Sequence, residues 1–310
     1  MSCQLARQTR GTAPARAALR RGVVAALGVT LLLCAAPERA RAGDFWDDVR
    51  QPGLTAYRAH VRRARTALSA RRTADALDAT QTAIETLPDE AEGHALRAIA
   101  LAESGDQAGM AQEAARALEL DEAVYEDPVW GSRIALLLAS GGQPELAARV
   151  LRRTLATMPA THLRRQLYTL LGDVAQSLGP AQLEEAVRAY RVALKSGPAD
   201  SRTILGLGLA LHRRGELEEA ELLLRRAAAP GPLDQLIAGL PVSPAERAAR
   251  VAVIAVQRGD LDAARAAFLE AEQGSPHAAW ASASRAALGR ATSAAPARQP
   301  ARRPGARRPR

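Results

Sequence analysis

The chain contains 310 residues, of which 47% are apolar and only 3% are aromatic. An excess of Ala, Leu and Arg with so few aromatic residues is typical of an all-helical protein and excludes a strand-rich fold. The formal charge of +9 comes from arginines near both ends of the chain. The middle is mildly acidic, so the charge gives no reason to expect that the folded part binds nucleic acid.

Residues 1–42 show the features of an export signal in their usual order. Several arginines precede an apolar run, residues 22–36, of about 15 residues, which is shorter than the roughly 20 that a membrane-spanning helix needs. Ala40 and Ala42 then form a small-residue cleavage site. We therefore expect a Sec-type signal peptide, cleavage after Ala42 and a periplasmic or otherwise extracytoplasmic mature chain. An uncleaved signal anchor is the alternative.

Cys3 and Cys34 are the two cysteines of the chain, and both lie within the predicted signal. Cys34 follows Leu33, which is larger than the residue expected before a lipidated cysteine, so a lipoprotein is the less favoured interpretation. The predicted mature chain then has no thiol or disulfide chemistry.

Residues 43–56 form a short amphipathic entry segment that contains Phe45 and Trp46. Pro52 and Gly53 interrupt it, because this pair of residues disfavours a continuing helix. We interpret the aromatic pair as a lid over the open edge of the helices that follow. A hook for a partner protein is the alternative.

From Tyr57 onward, small residues, Gly and Pro recur with a period of about 34 residues. The clearest copy has predicted helices at residues 204–214 and 217–228, with Gly215 between them. Its small residues stand where two antiparallel helices would approach each other most closely. The landmarks are Leu207, Gly208, Leu211, Gly215, Ala220, Leu224, Ala227 and Pro232. This pattern resembles the tetratricopeptide repeat, a helix-turn-helix unit.

Six such units follow one another within residues 57–290. The first has Arg71 in place of the glycine between its helices, and the fourth needs two extra residues in its Gly179-Pro180 turn. Because one helix pair cannot cover its own apolar face, tandem units stack. The resemblance implies an all-α, right-handed α-α superhelical solenoid, closed by a capping helix around Trp280. The Pro- and Arg-rich residues 291–310 are predicted to be disordered.

The sequence predicts no catalytic, metal or cofactor site. The five histidines fall in different units and none lies three or four residues from another, so no pair could bind a metal from one helix face. Gly206 and Gly208 resemble part of a phosphate-binding loop, but no predicted strand precedes them. We expect a non-enzymatic protein without cofactors.

The resemblance implies that the first helix of each pair lines a groove through its fifth, ninth and twelfth residues. These positions are mainly small or aliphatic, with a polar step around Asp173. Such a groove suits an extended or helical segment that docks through apolar side chains. The alternative is that these residues only pack between tightly wound repeats. The predicted protein-binding residues are Ile99, Leu136, Asp173, Leu205, Leu209, His212 and Val253.

The tail carries a run of arginines spaced by prolines. Such an extended cation suits anionic envelope polymers or lipid headgroups, and export argues against nucleic acid as its ligand. A solvated tail without a ligand is the alternative. The arginines concerned are Arg298, Arg302, Arg303, Arg307, Arg308 and Arg310.

These patterns together predict a protein-protein interaction scaffold or adaptor in a bacterial-type cell envelope. The resemblance alone implies a role in the assembly of a secretion, pilus or motility complex. The alternative function is a factor that binds an envelope polymer or the membrane surface through its basic tail.

Overall fold

The chain divides into two compact units, residues 1–52 and residues 53–310. A computed structural model describes the second unit over most of its length. In the first unit it describes only the last four residues, of which 49 and 50 are helical. The described residues are 49–159, 161–198, 200–228 and 233–294.

Three sequence-based predictions lie wholly or mostly outside the described residues. They are the signal peptide of residues 1–42, the aromatic pair Phe45 and Trp46, and the basic tail from residue 295 onward. Within the described part of the chain, no helix is both long enough and apolar enough to cross a lipid bilayer.

The described residues of the second unit form α-helices and two short 3-10 segments, with no β-strand among them. The 3-10 segments are Glu122–Tyr125 and Pro180–Gln182. The helices are α1 (Leu54–Ser69), α2 (Thr73–Thr86), α3 (Ala91–Ser104), α4 (Gln107–Leu120), α5 (Pro128–Ser140), α6 (Pro144–Thr157), α7 (His162–Ser177), α8 (Leu183–Lys195), α9 (Ser201–Arg214), α10 (Leu217–Ala228), α11 (Leu233–Ala238), α12 (Pro244–Arg258), α13 (Leu261–Glu272) and α14 (Ala278–Ala294).

Consecutive helices pack as pairs: α1 with α2, α3 with α4, α5 with α6, α7 with α8, α9 with α10, and α12 with α13. Neighbouring pairs stack through α2 on α3, α6 on α7 and α8 on α9. This confirms the predicted all-α array of tetratricopeptide-type helix pairs. At the place predicted for the capping helix, α14 packs on α13. It runs to Ala294, so residues 291–294 are helical, whereas the sequence predicts them to be part of the disordered tail.

The boundaries of the clearest repeat are close to those predicted. Its second helix matches the prediction, and its first begins three residues earlier, at Ser201. The earlier start follows from Asp200, whose side chain accepts a hydrogen bond from the backbone N–H of Thr203. This N-cap satisfies a donor that the first helical turn would otherwise leave unpaired.

Small residues lie where the helices approach each other. A Cβ atom at Gly208 would lie 3.0 Å from the side chain of Leu224 and 3.4 Å from the carbonyl oxygen of Ala220. The ring of Tyr190 occupies the space that side chains at Gly172 and Gly206 would fill, because a Cβ atom there would lie within 2.6 Å of it. These glycines therefore provide space for packing.

The glycines between paired helices have a different role. Gly215 has φ 85° and no neighbouring atom within 4 Å of a Cβ position, so its backbone conformation, not its size, requires glycine. The same holds for Gly105, Gly142 and Gly259. In the first repeat, the exposed residue Arg71 takes the left-handed conformation with φ 56°.

The short helix α11 is inserted between the fifth and the sixth repeat. Its buried Ile237 belongs to one apolar cluster with Leu209 of α9 and Val253 of α12. The backbone of α12 lies close to the backbones of α11 and α13. The sixth repeat is therefore joined to the fifth through side chains and through α11.

We expect Arg71→Gly to raise the free energy of unfolding by about 1 kcal/mol, because a left-handed conformation costs a non-glycine residue roughly 1–2 kcal/mol. Arg71→Ala is the matched control, since it removes the same side chain but keeps the backbone cost. Urea denaturation followed by circular dichroism measures both. If both substitutions changed the free energy of unfolding equally, the left-handed backbone at residue 71 would not be the source of the effect.

We expect Ala220→Trp to destabilise the protein, because Ala220 is fully buried at the close approach of α9 and α10, and overpacking such a contact costs roughly 1–3 kcal/mol. Leu222→Trp places the same side chain on the exposed face of the same helix, where Leu222 is 69% exposed. A thermal melt should shift for the first variant and not for the second. An unchanged melt for Ala220→Trp would mean that the assigned register is wrong.

Candidate functional site

An open groove lies between α5 and α7, beside the first turn of α9. Each of these helices begins at a side-chain N-cap, supplied by Asp127, Thr161 and Asp200 respectively. The caps pair backbone N–H groups and so fix the residue at which each helix begins. The groove has a volume of about 520 Å³, which is within the range of small-ligand sites.

The lining of the groove is largely apolar. Leu136 of α5 is 52% exposed and Leu163 of α7 is 37% exposed. Leu167 and Leu170 also line the groove but are buried and belong to the main apolar core of the repeats. Two exposed leucines above a buried leucine floor provide a surface that can lose contact with water when another side chain binds.

Arginines from three helices line the same groove: Arg133, Arg165 and Arg202. Arg133 forms an ion pair with Glu103. Arg202 donates from Nε (3.0 Å) and Nη2 (2.8 Å) to Oδ2 of Asp173. Arg133 is held by its ion pair with α3, and Arg202 by its hydrogen bonds to Asp173 of α7. These contacts fix the positions of both guanidinium groups in the groove wall.

The structure separates the predicted groove residues into two groups. Leu136 lines the open groove, whereas five others are buried against neighbouring helices: Ile99, Asp173, Leu205, Leu209 and Val253. These five pack between repeats and have almost no surface to offer a partner. His212 is partly buried, and its ring meets that of Trp280 edge-on at 6.0 Å. A partner contact through any of these residues stays a prediction.

Asp173 lies at the centre of a buried ionic cluster rather than on a groove surface. Its Oδ1 accepts hydrogen bonds from the Tyr190 hydroxyl (2.7 Å) and from Nη1 of Arg250 (2.9 Å). Its backbone carbonyl accepts from Nη2 of the same arginine (3.2 Å). Arg202 completes the set from the groove side. One carboxylate of α7 therefore contacts α8, α9 and α12.

Glu246 is the second carboxylate of this cluster. Its Oε1 accepts from Nη1 of Arg213 (2.6 Å) and from Nε of Arg250 (2.9 Å). Burial alone would raise the pKa of Glu246, but the two arginines outweigh it and hold the pKa below its usual value. Glu246 and Asp173 thus supply the negative charge that the two buried guanidinium groups need.

The segment before α14 is tied to the same cluster. His277 donates from Nε2 to the backbone carbonyl of Gln176 (2.7 Å), whose side chain also contacts Arg213 (3.2 Å). The ring of Trp280 lies 5.2 Å from Cζ of that arginine. Burial, followed by the charge of Arg213, lowers the pKa of His277. A neutral His277 therefore anchors the capping helix to α7.

Sequence reasoning missed Leu163 and Arg165 because the fifth, ninth and twelfth positions lie beyond the first turn of α7. The exposed leucine in that first turn was the signal that could have found this part of the groove. Sequence reasoning also missed the burial of Glu246 and Arg250, because their spacing of four residues resembles that of an exposed ion pair on a helix surface.

The structure also bears on two points from the sequence, the fragment of a phosphate-binding loop and the possibility of a metal site. Gly206 and Gly208, which resemble a fragment of a phosphate-binding loop, make room for Tyr190 and Leu224 inside the helix stack. No group of three or more His, Cys, Asp or Glu residues in the described ranges is placed to hold a metal ion.

No protein-family model matches the chain, and no curated protein matches it significantly. Several solved structures do match. A PilF structure from Pseudomonas aeruginosa shares 17% identity over 76% of this chain and 100% of that chain, with a TM-score of 0.41. PilW, described as a widely conserved type IV pilus biogenesis factor, shares 14% identity over 71% of this chain and 93% of that chain, with a TM-score of 0.40.

The C-terminal part of a TPR repeat-containing protein from Cytophaga hutchinsonii also matches. It shares 14% identity over 72% of this chain and 84% of that chain, with a TM-score of 0.40. All three superpositions score below 0.5, so the fold stated above follows from the helix pairing itself, and no function is taken from these matches.

We expect Asp173→Asn to lower the free energy of unfolding by about 3–5 kcal/mol, because it removes one of the two carboxylate charges that balance the buried arginines. The double variant with Arg250→Met should cost at least about 1 kcal/mol less than the sum of the two single changes, since the residues are in contact. Urea denaturation of the four proteins of this cycle gives the coupling.

The exposed pair Arg191 and Glu219, 3.2 Å apart, is the matched control for that cycle. Arg191→Met and Glu219→Gln should couple by no more than about 1 kcal/mol, as surface ion pairs do. Additive effects at Asp173 and Arg250 would contradict the role given to the buried cluster.

Proposed function

We propose that this chain is a non-catalytic scaffold or adaptor that holds a segment of a partner protein in the groove between α5 and α7. The observation that supports this most directly is the joint exposure of Leu136 and Leu163 in one groove. Burial of these side chains by a partner is favourable. Because the groove walls are already held by ion pairs, binding orders few additional side chains, and this lowers its entropic cost.

The location belongs to the same proposal. The order of residues 1–42, with arginines, an apolar run and a small-residue site, supports export to an extracytoplasmic compartment of the cell envelope. There we propose that the scaffold assists the assembly of a secretion, pilus or motility complex. This last step is supported by the tetratricopeptide-type fold alone.

Binding of an envelope polymer or a lipid surface by the arginine tail stays a prediction from the sequence. Because α14 extends to Ala294, the deletion that separates the two functions should begin at residue 295. Capture of a partner protein by the shortened chain would support the groove, and loss of all capture would support the tail.

We expect Leu136→Glu combined with Leu163→Glu to reduce capture of partner proteins from an envelope extract by roughly tenfold or more, as changes at central apolar contacts do. Both side chains are exposed, so the helical circular dichroism spectrum should be retained. The captured proteins are identified by mass spectrometry. Leu209 is unsuitable for this test because it is buried, and a charge there would unfold the repeat.

Leu222→Glu is the matched control, because Leu222 is an exposed leucine of α10 outside the groove. It should leave capture unchanged. Capture that is equal for the groove double variant and for the unmodified chain would place the interface elsewhere.

A further inference from the structure

The charged side chains that line the groove are three arginines and one aspartate. The aspartate, Asp200, is committed to the start of α9: its Oδ1 accepts from the backbone N–H of Thr203 and its Oδ2 from the hydroxyl of the same residue, both at 2.8 Å. It therefore serves as a helix cap and forms no ion pair with these three arginines. Arg133 and Arg202 are paired with Glu103 and Asp173, which leaves Arg165 as the groove arginine whose charge no contacting carboxylate of the described residues balances.

Arg165 differs from the other two arginines in its partners. Its Nη1 donates to the carbonyl oxygen of Pro198 (2.6 Å) and its Nη2 to Nδ1 of His162 (2.8 Å). Its Nε is buried without a hydrogen-bond partner. Within the described ranges no carboxylate lies within 4.0 Å of this guanidinium group, whereas Arg133 and Arg202 each have one. Arg165 is thus positioned but not neutralised.

We propose that the groove selects an acidic, apolar segment of a partner protein, in which an aliphatic or aromatic side chain packs on Leu136 and Leu163 and a nearby carboxylate pairs with Arg165. This inference rests on the proposed function of the groove and adds the chemistry of the occupant. Leu163 and Arg165 both lie in the first turn of α7 and both line the groove, so one short segment can reach both contacts.

Charge also argues against the arginine-rich tail of this chain as the occupant of the groove. The tail from residue 295 onward carries arginines and no acidic side chain, and like charges would oppose its entry beside Arg165. An acidic segment has the opposite property, because its carboxylate meets a guanidinium group that retains unused N–H donors in a partly desolvated position. That attraction should weaken as salt concentration rises.

A random peptide library displayed on phage and selected on the full chain tests this inference. We expect the recovered peptides to be enriched in Asp or Glu next to Leu, Ile or Phe. For a peptide made from the most enriched sequence, Arg165→Gln should weaken binding by about fivefold, the size expected of a partly exposed ion pair. Fluorescence anisotropy at low and at moderate salt measures the affinity.

Arg164→Gln is the matched control. Arg164 is the preceding residue of α7, packs over the ring of Tyr168 at 5.5 Å and does not line the groove. Its substitution should leave the affinity unchanged. Peptides that lack acidic residues, or that bind the Arg165 and Arg164 variants equally well, would overturn the proposed chemistry while leaving the groove as a binding site.

The same selection separates failure of the chemistry from failure of the proposed function. If the recovered peptides bind the variant with Leu136→Glu and Leu163→Glu as well as the unmodified chain, or if no peptide is recovered, then the groove is not the binding site. Both the proposed function and the inference built on it would then be overturned.

Discussion

The carboxylate of Asp173 accepts hydrogen bonds from Tyr190, Arg202 and Arg250, which belong to three successive repeats. Moving these charges out of water costs several kcal/mol per ion, and good geometry only partly offsets that cost. We therefore expect the cluster to contribute more to the uniqueness of the arrangement than to net stability. An apolar contact could slide by a turn, whereas a buried carboxylate that pairs with arginines of two other helices is fixed to one arrangement.

Two helices of this cluster, α9 and α12, belong to the repeats on either side of the inserted helix α11. Ile237 of α11 fills part of the space between those repeats, and regular stacking of α12 on its predecessor is interrupted there. Arg250 reaches from α12 to α7 and Arg213 from α9 to Glu246. The contact of Arg250 with Asp173 joins the sixth repeat to the fourth, which an array of identical nearest-neighbour contacts would not do.

The cluster also accounts for what the sequence could and could not predict. The glycine at Gly215 and the alanine at Ala220 are required by a local turn and by contact with the partner helix, so their spacing was enough to find the repeats. Asp173 depends on Arg250, which is 77 positions away in the chain, and Glu246 depends on Arg213, which is 33 positions away. In sequence each looks like a polar residue on a helix surface, and only the tertiary structure shows that they are buried.

The groove and the cluster share Arg202, and this explains why binding chemistry is expected at α5 and α7. Further along the stack, the inner positions of α7, α9 and α12 are filled by the cluster and its apolar neighbours. At the edge of the cluster that faces the groove, 36% of the Arg202 side chain is exposed, while Asp173 holds its guanidinium group. The groove wall is thus positioned by interactions that already exist before any partner binds. Preorganisation of this kind lowers the ordering cost of association, which favours the proposed binding of a short segment at this groove.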